Sequence, residues 1–435
     1  MKKIQESIPL LLKSHYSKSI WLNFFIFLCF SCRTPEVHFK NQIKDPVDLP
    51  YNALVESIKA EGDPIKQYAS IDGTDLPAQD EILIQEDLGR AFVASIDGWI
   101  WKVDLKANVA ERFVETPLLP GGMVFHPKNK NIIYMCLSRG KQHNTNLTTQ
   151  PGIYELTISS KQIRKIGTRV PFTDKSIEPP KDQIGIFYPK GKETKISMDL
   201  LNETNSRYVE KADDLAISND GERIYFTEPY DHPNSILGVS IQSKQEVLTL
   251  GRNGHLWKYD LNDNTVSLIA YQYTYLDGIL LEYSEKENEK ETSILLNELS
   301  KSRLIRLHLT GDKIGKDEVV IEGLPGFPDG MDRDPQGRIW IAIPVERSKL
   351  ITWLHKHPFW KKLVLYIPEK LQPVSKKTGI IALSPNGTKP IYYSVHDGSL
   401  FSYIIVVVPG KDKLYLAVYQ DGFKGFVTMP YPNNI

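Results

Sequence analysis

From residue 80 to residue 417, apolar runs of about four residues alternate with short polar turns, the pattern of short strands joined by turns. The same phrase recurs along the chain: "DEILIQEDLGRAFVA" from Asp80, "GGMVFHPKNKNIIYM" from Gly121, "DDLAISNDGERIYFT" from Asp213, "DGILLEYSEKENEKETSILL" from Asp277, "DGMDRDPQGRIWIA" from Asp329, and a weaker "YIIVVVPGKDKLYLA" from Tyr403. Each joins a strand to a turn, usually with Gly, and then to a strand rich in β-branched and aromatic residues, which is hairpin chemistry. Further strands follow most copies, as in "SIDGWIWKVDL" (95–105), "GRNGHLWKYDL" (251–261) and "NELSKSRLIRLHL" (297–309). A multi-strand unit occurring six times predicts an all-β chain, a six-bladed β-propeller over residues 75–430. The competing architectures are a sandwich or two unrelated β domains.

The copies are unevenly spaced, so loops of different length interrupt the blades. Residues 174–210 read as a polar excursion. Residues 345–371 are the one persuasive helical interruption: Leu350, Ile351, Leu354, Phe359, Trp360, Leu363, Val364 and Ile367 fall at roughly helical spacing. Pro358 divides the run, which predicts two short helices. They would form a lid over the channel mouth, a membrane-surface patch or plain packing.

In a propeller the innermost strands line a central channel. The repeated position two residues before the first apolar residue holds Asp80, Gly121, Asp213, Asp277, Asp329 and Tyr403. One such Asp merely starts a turn. Four in register would meet at the axis, where each raises the others' pKa. A cation would remove that cost, and an all-oxygen set favours calcium over a transition metal. Glu81 adjoins Asp80, and either could reach the axis.

Composition adds little to this picture. The chain has 435 residues with 53 basic and 53 acidic side chains, which gives no reason to expect nucleic acid as a partner. The three cysteines, Cys29, Cys32 and Cys136, show no zinc spacing and no disulfide framework, and Cys136 reads as a buried strand thiol. The N-terminus is more informative. A basic leader precedes the apolar run Ile20–Phe30, which is too short to span a membrane and suits a secretory signal. Residues 1–31 are expected as a signal peptide ending before Cys32, which is the expected acylated first residue of a lipoprotein; simple secretion and an uncleaved anchor are the alternatives. Residues 32–74 would then be a linker and N-terminal arm. This places the protein in a bacterial cell envelope, on the periplasmic or surface side.

The segments "KADDLAISNDGERIYFTEPYDH", "GRNGHLWKYD", "LDGILL", "LLNELSKSRLIRLHL" and "EGLPGFPDGMDRDPQGRIWIAIP", with the insertion, "VHDGS" and "KLYLAVY", resemble the strictosidine synthase-like propellers, the group that includes the adipocyte plasma membrane-associated protein. The wording "PDGMDRDPQGRIWIA" is also similar to the gluconolactonase/regucalcin group, and the wider set includes the paraoxonases. The resemblance implies a calcium ion at the top of the channel, with Asp80 or Glu81, Asp213, Asp277 and Asp329 as ligands. Asp213 and Asp277 stand where the family has Asn, and Gly330 replaces a frequent Asn. It also places the synthase's catalytic Glu near "YIIVVVP" (403–409), where this chain has no acid, so strictosidine synthesis is not expected.

Two functions remain open from the sequence. One is a calcium-dependent hydrolase of apolar lactones or aryl and alkyl esters, with Asp329 as both ligand and base to water. The other is a non-catalytic propeller that binds a ligand or protein partner around a structural ion. His126, His143 and His396 read as turn residues, and no G-x-S-x-G elbow is present.

Overall fold

The computed structural model describes residues 46–141, 148–189, 191–284, 290–367, 371–372 and 374–433. The signal segment, Cys32 and His143 lie outside the described residues.

Six blades surround a common axis. Blade one is Gln79–Gln85, Arg90–Ser95, Trp99–Asp104 and Val109–Glu115; blade two is Leu119–Phe125, Ile132–Ser138, Gly152–Thr157 and Gln162–Gly167. Blade three is built on Leu215–Ile217, Arg223–Glu228, Gly254–Asp260 and Thr265–Tyr273, with Ile186–Phe187 and Thr194–Ser197 added along its outer edge. Blade four runs Leu276–Tyr283, Glu291–Glu298, Arg303–His308 and Asp317–Glu322; blade five runs Met331–Arg333, Ile339–Ile343, Thr378–Leu383 and Pro390–His396. All six predicted hairpins are the two innermost strands of a blade.

Blade six joins the two ends of the fold. Its strands Ile404–Pro409, Lys413–Val418 and Lys424–Pro430 are completed by Ser70–Pro77, which pairs antiparallel with the last of them. The first propeller strand therefore starts ahead of residue 75, inside the segment expected as an arm. Closing the ring with an early strand leaves neither end of the sequence as a free inner edge.

The arm before it is anchored. Asp63 caps the helix Pro64–Tyr68 and accepts a hydrogen bond from His396 Nδ1 at 2.7 Å, while His396 Nε2 accepts from the Leu400 N–H. With both ring nitrogens engaged, His396 is a clamp between arm and blade five.

The insertion folds as two helices, Lys349–Lys356 and Pro358–Val364, parted at Pro358. A further helix, Ile241–Thr249, was not foreseen. It begins with a reciprocal cap between Ser240 and Ser243 and ends on Leu250 in the left-handed region. Its buried side chains include Gln245 and Glu246, and Glu246 bonds His232 and Asn253. A helix that buries polar groups shows no apolar stripe in sequence. Leu248 packs with Leu354 and Leu365 of the insertion, so helices from distant points in the chain meet over one end of the channel.

Candidate functional site

Register irregularities aim the axial residues. The innermost hairpin of blade one shifts register between Gln79 and Glu81, that of blade two between Pro120 and Met123, that of blade four between Leu276 and Ile279, and that of blade six between Ile404 and Val406. A bulge leaves a residue unpaired and re-aims its side chain. Asp80, Gly121, Gly122, Asp277 and Gly278 fall inside these breaks. In blades three and five the inner strands begin only at Leu215 and Met331, which leaves Asp213 and Asp329 just before the ladder. Tyr403 completes the circle with a φ of 62°.

The result is one cavity of about 610 Å³. Asp80, Glu81, Asp213, Asp277 and Asp329 all line it, together with Asp214 and Lys211. Blade two supplies space rather than charge. A Cβ on Gly121 would stand 3.3 Å from Asp80 Oδ2, and one on Gly122 would stand 2.7 Å from Asp214 Oδ1. The roof is apolar, with Val247 and Leu248 from one helix and Leu350, Ile351, Leu354 and Val364 from the insertion.

The acids form two groups. Asp80, Asp213, Asp277 and Asp329 act on one another. Burial and then its acidic neighbours push each of Asp80 and Asp277 well above the usual carboxylate range; burial also raises Asp213, against the pull of Lys211. The Asp277 and Asp329 carboxyls hydrogen-bond to each other, which requires a proton between them. The proton belongs to the pair rather than to either carboxyl. Burial and Asp213 still hold Asp329 up, to about 7. Glu81 belongs to the second group, pushed up by burial and by Asp214. Asp214 Oδ1 accepts from the Leu215 N–H at 2.7 Å and Oδ2 from the Ile279 N–H at 3.1 Å, and burial raises it to about 7. Asp80, not Glu81, is therefore the blade-one acid that faces Asp213 and Asp329.

Lys211 was not anticipated. Its side chain is 2% exposed, with Nζ 3.4 Å from Asp213 Oδ2 and 3.4 Å from the Tyr275 hydroxyl. The rings of Tyr230 and Tyr275 also face the ammonium, at 5.1 and 5.3 Å to their centroids. Burial alone would lower its pKa; Asp213, the two tyrosines and Asp277 outweigh that and hold it well above the ordinary value. The floor of the cavity thus carries its own cation.

A calcium ion binds oxygen ligands at about 2.3–2.6 Å, so ligands on opposite sides of it stand about 5 Å apart. Among the described residues, the acids and histidines whose ligand atoms all lie within 4.8 Å of one another are Asp63, His396 and Asp397; the axial acids form no such trio. The clamp has no nitrogen to spare, as its hydrogen bonds show. As arranged, the axial carboxyls alone do not close into a ligand set, and an ammonium already stands among them.

Comparison with known proteins follows the fold. No protein-family model matches the chain. Adipocyte plasma membrane-associated protein of Bos taurus is 25% identical over 244 residues, 53% of this chain and 55% of that protein. Strictosidine synthase-like 13 of Arabidopsis thaliana is 27% identical over 194 residues, 44% of each chain. These proteins are homologues of this chain. The chain spans about half the length of the curated relatives it matches. Among solved structures, the gluconolactonase XC5397 from Xanthomonas campestris superposes with a TM-score of 0.50 at 9% identity, covering 89% of this chain and 96% of that one. At that identity the likeness is one of fold. Among the described residues, no helix is long and apolar enough to cross a membrane.

Proposed function

We propose that the protein is a hydrolase of lactones or of aryl and alkyl esters with an apolar body, held in a bacterial envelope by an acyl chain on Cys32. The observation that carries the hydrolase reading is the pairing, in one cavity, of a hydrogen-bonded carboxyl pair at the floor with an apolar helical roof. A fold shared with a protein described as a gluconolactonase makes lactones the first substrates to test.

The roof would take the hydrophobic part of the substrate and exclude bulk water. Asp329, paired with Asp277, is the base. It takes a proton from water as the water oxygen bonds to the carbonyl carbon. The bond from that carbon to the ring or ester oxygen then breaks, and the departing oxygen takes the proton back from Asp329. A hydroxy acid, or an acid and an alcohol, results, and the acid's proton passes to solvent.

Hydrolysis of γ- and δ-lactones and of aryl acetates by the purified chain tests this reading. Saturable turnover above the rate in buffer supports it, and buffer-level rates with every substrate overturn it. The anchor is tested separately: fatty-acid labelling should appear in the native chain and vanish in Cys32→Ser.

A further inference from the structure

The reaction above builds negative charge on the carbonyl oxygen, in a site already crowded with carboxylates. Something positive must face that oxygen. Two lysines line the cavity, Lys211 and Lys244, and Lys211 is the one paired with an axial acid. Lys211 lies two residues before Asp213, at the entry to blade three, and lines the same cavity as Asp80, Asp277 and Asp329. Its neighbours hold it there from several sides: Asp213 from its own segment, Tyr230 from the loop after the second strand of blade three, and Tyr275 from the entry to blade four.

We propose that the Lys211 ammonium stands in for a divalent cation in this site, neutralising the axial acids from within the chain and facing the oxyanion, so that the hydrolysis needs no metal. The proposal rests on the hydrolase reading for its second half. Two observations carry it. The ammonium is within ion-pair distance of Asp213 and is almost wholly buried, so its charge is not spent on solvent. The axial acids do not converge as a ligand set does. A fixed ammonium also asks less of geometry than calcium does, because it needs a few acceptors rather than six to eight oxygens.

The experiment uses the purified full chain and two readouts. Equilibrium dialysis with radioactive calcium, and thermal melts with EDTA or millimolar calcium, examine the ion directly. Wild type should take up no stoichiometric calcium, and its melting temperature should be the same in both media. Hydrolysis should run at the same rate in EDTA and in calcium, and Lys211→Met should lower kcat by about a hundredfold or more, as loss of an oxyanion donor does. Lys211→Arg, which keeps the charge, should retain more activity than the Met variant. One calcium bound per wild-type chain, or a melting temperature that falls in EDTA and recovers with calcium, would overturn the proposal. Should Lys211→Met fail to fold, the wild-type calcium measurements still decide. Should no lactone or ester be turned over, the hydrolase reading fails while the calcium readout continues to test the cation's replacement.

Discussion

Lys211 Nζ and Asp213 Oδ2 lie 3.4 Å apart at the inner end of the channel, with the lysine 2% and the aspartate 12% exposed. Removing one member of such a buried pair strands the other, at a typical cost of about 3–5 kcal/mol. The pair also bears on which acids remain to do chemistry: Asp213 is committed to Lys211, while Asp277 and Asp329 line the same cavity.

Asp329 and Asp214 predict how activity and stability respond to pH. Burial raises both to about 7. Activity that uses Asp329 as a base should therefore climb as pH rises through about 7 and then level off. Stability should move the other way. Between the ordinary carboxylate range near 4 and the folded value near 7, the folded chain keeps protons that the unfolded chain has lost, so stability falls as pH rises across that window. Melting temperature should drop between pH 5 and pH 8. The drop should be smaller in Asp329→Asn, by an amount equivalent to roughly 1–3 kcal/mol. An equal slope in variant and wild type contradicts this assignment.

The roof is held by Leu248, Leu354 and Leu365, with Ile351 and Val364 beside them. Leu354→Ala should cost about 2–5 kcal/mol locally. Few elements depend on that cluster, so the loss should appear as faster proteolysis between residues 345 and 371 rather than as unfolding of the blades. If the roof binds substrate, KM should rise several-fold with kcat little changed. Protease resistance equal to wild type would show that the cluster does not hold the helices down.

Ring closure makes the early strand indispensable. Ser70–Pro77 pairs with Lys424–Pro430, and Leu76 is fully buried. Deleting residues 1–45 should leave the melting temperature of the propeller unchanged. Deleting residues 1–77 should lower it by more than about 5 °C and promote aggregation through the bared edge of blade six. Calorimetry and size-exclusion chromatography on the two truncations check both outcomes.

The blades were legible in sequence because a strand's side chains alternate with a period of two, and the turn glycines punctuate them. The convergence of Asp80, Asp213, Asp277 and Asp329 on one cavity was legible for the same reason, since register carries each residue to the same height in its blade. What that cavity contains was less visible. Lys211 and Asp214 flank Asp213 in "EKADDL", where the repeat marks only the one position, and the packing of Tyr230 and Tyr275 around the lysine reveals its burial. The helix Ile241–Thr249 escaped because Glu246, its most buried group, bonds His232 and Asn253 instead of displaying an apolar stripe. The strand Ser70–Pro77 escaped because its partner lies at the far end of the chain.

Asp329 gives the account its most direct test. Steady-state hydrolysis of δ-lactones and aryl acetates should be measured for wild type and Asp329→Asn in the same buffer, with folding of both verified by thermal melting. The account predicts saturable turnover by wild type and a loss of about a hundredfold or more in the variant, as expected when a positioned base is removed. Equal rates in the two proteins, with both folded, would contradict it.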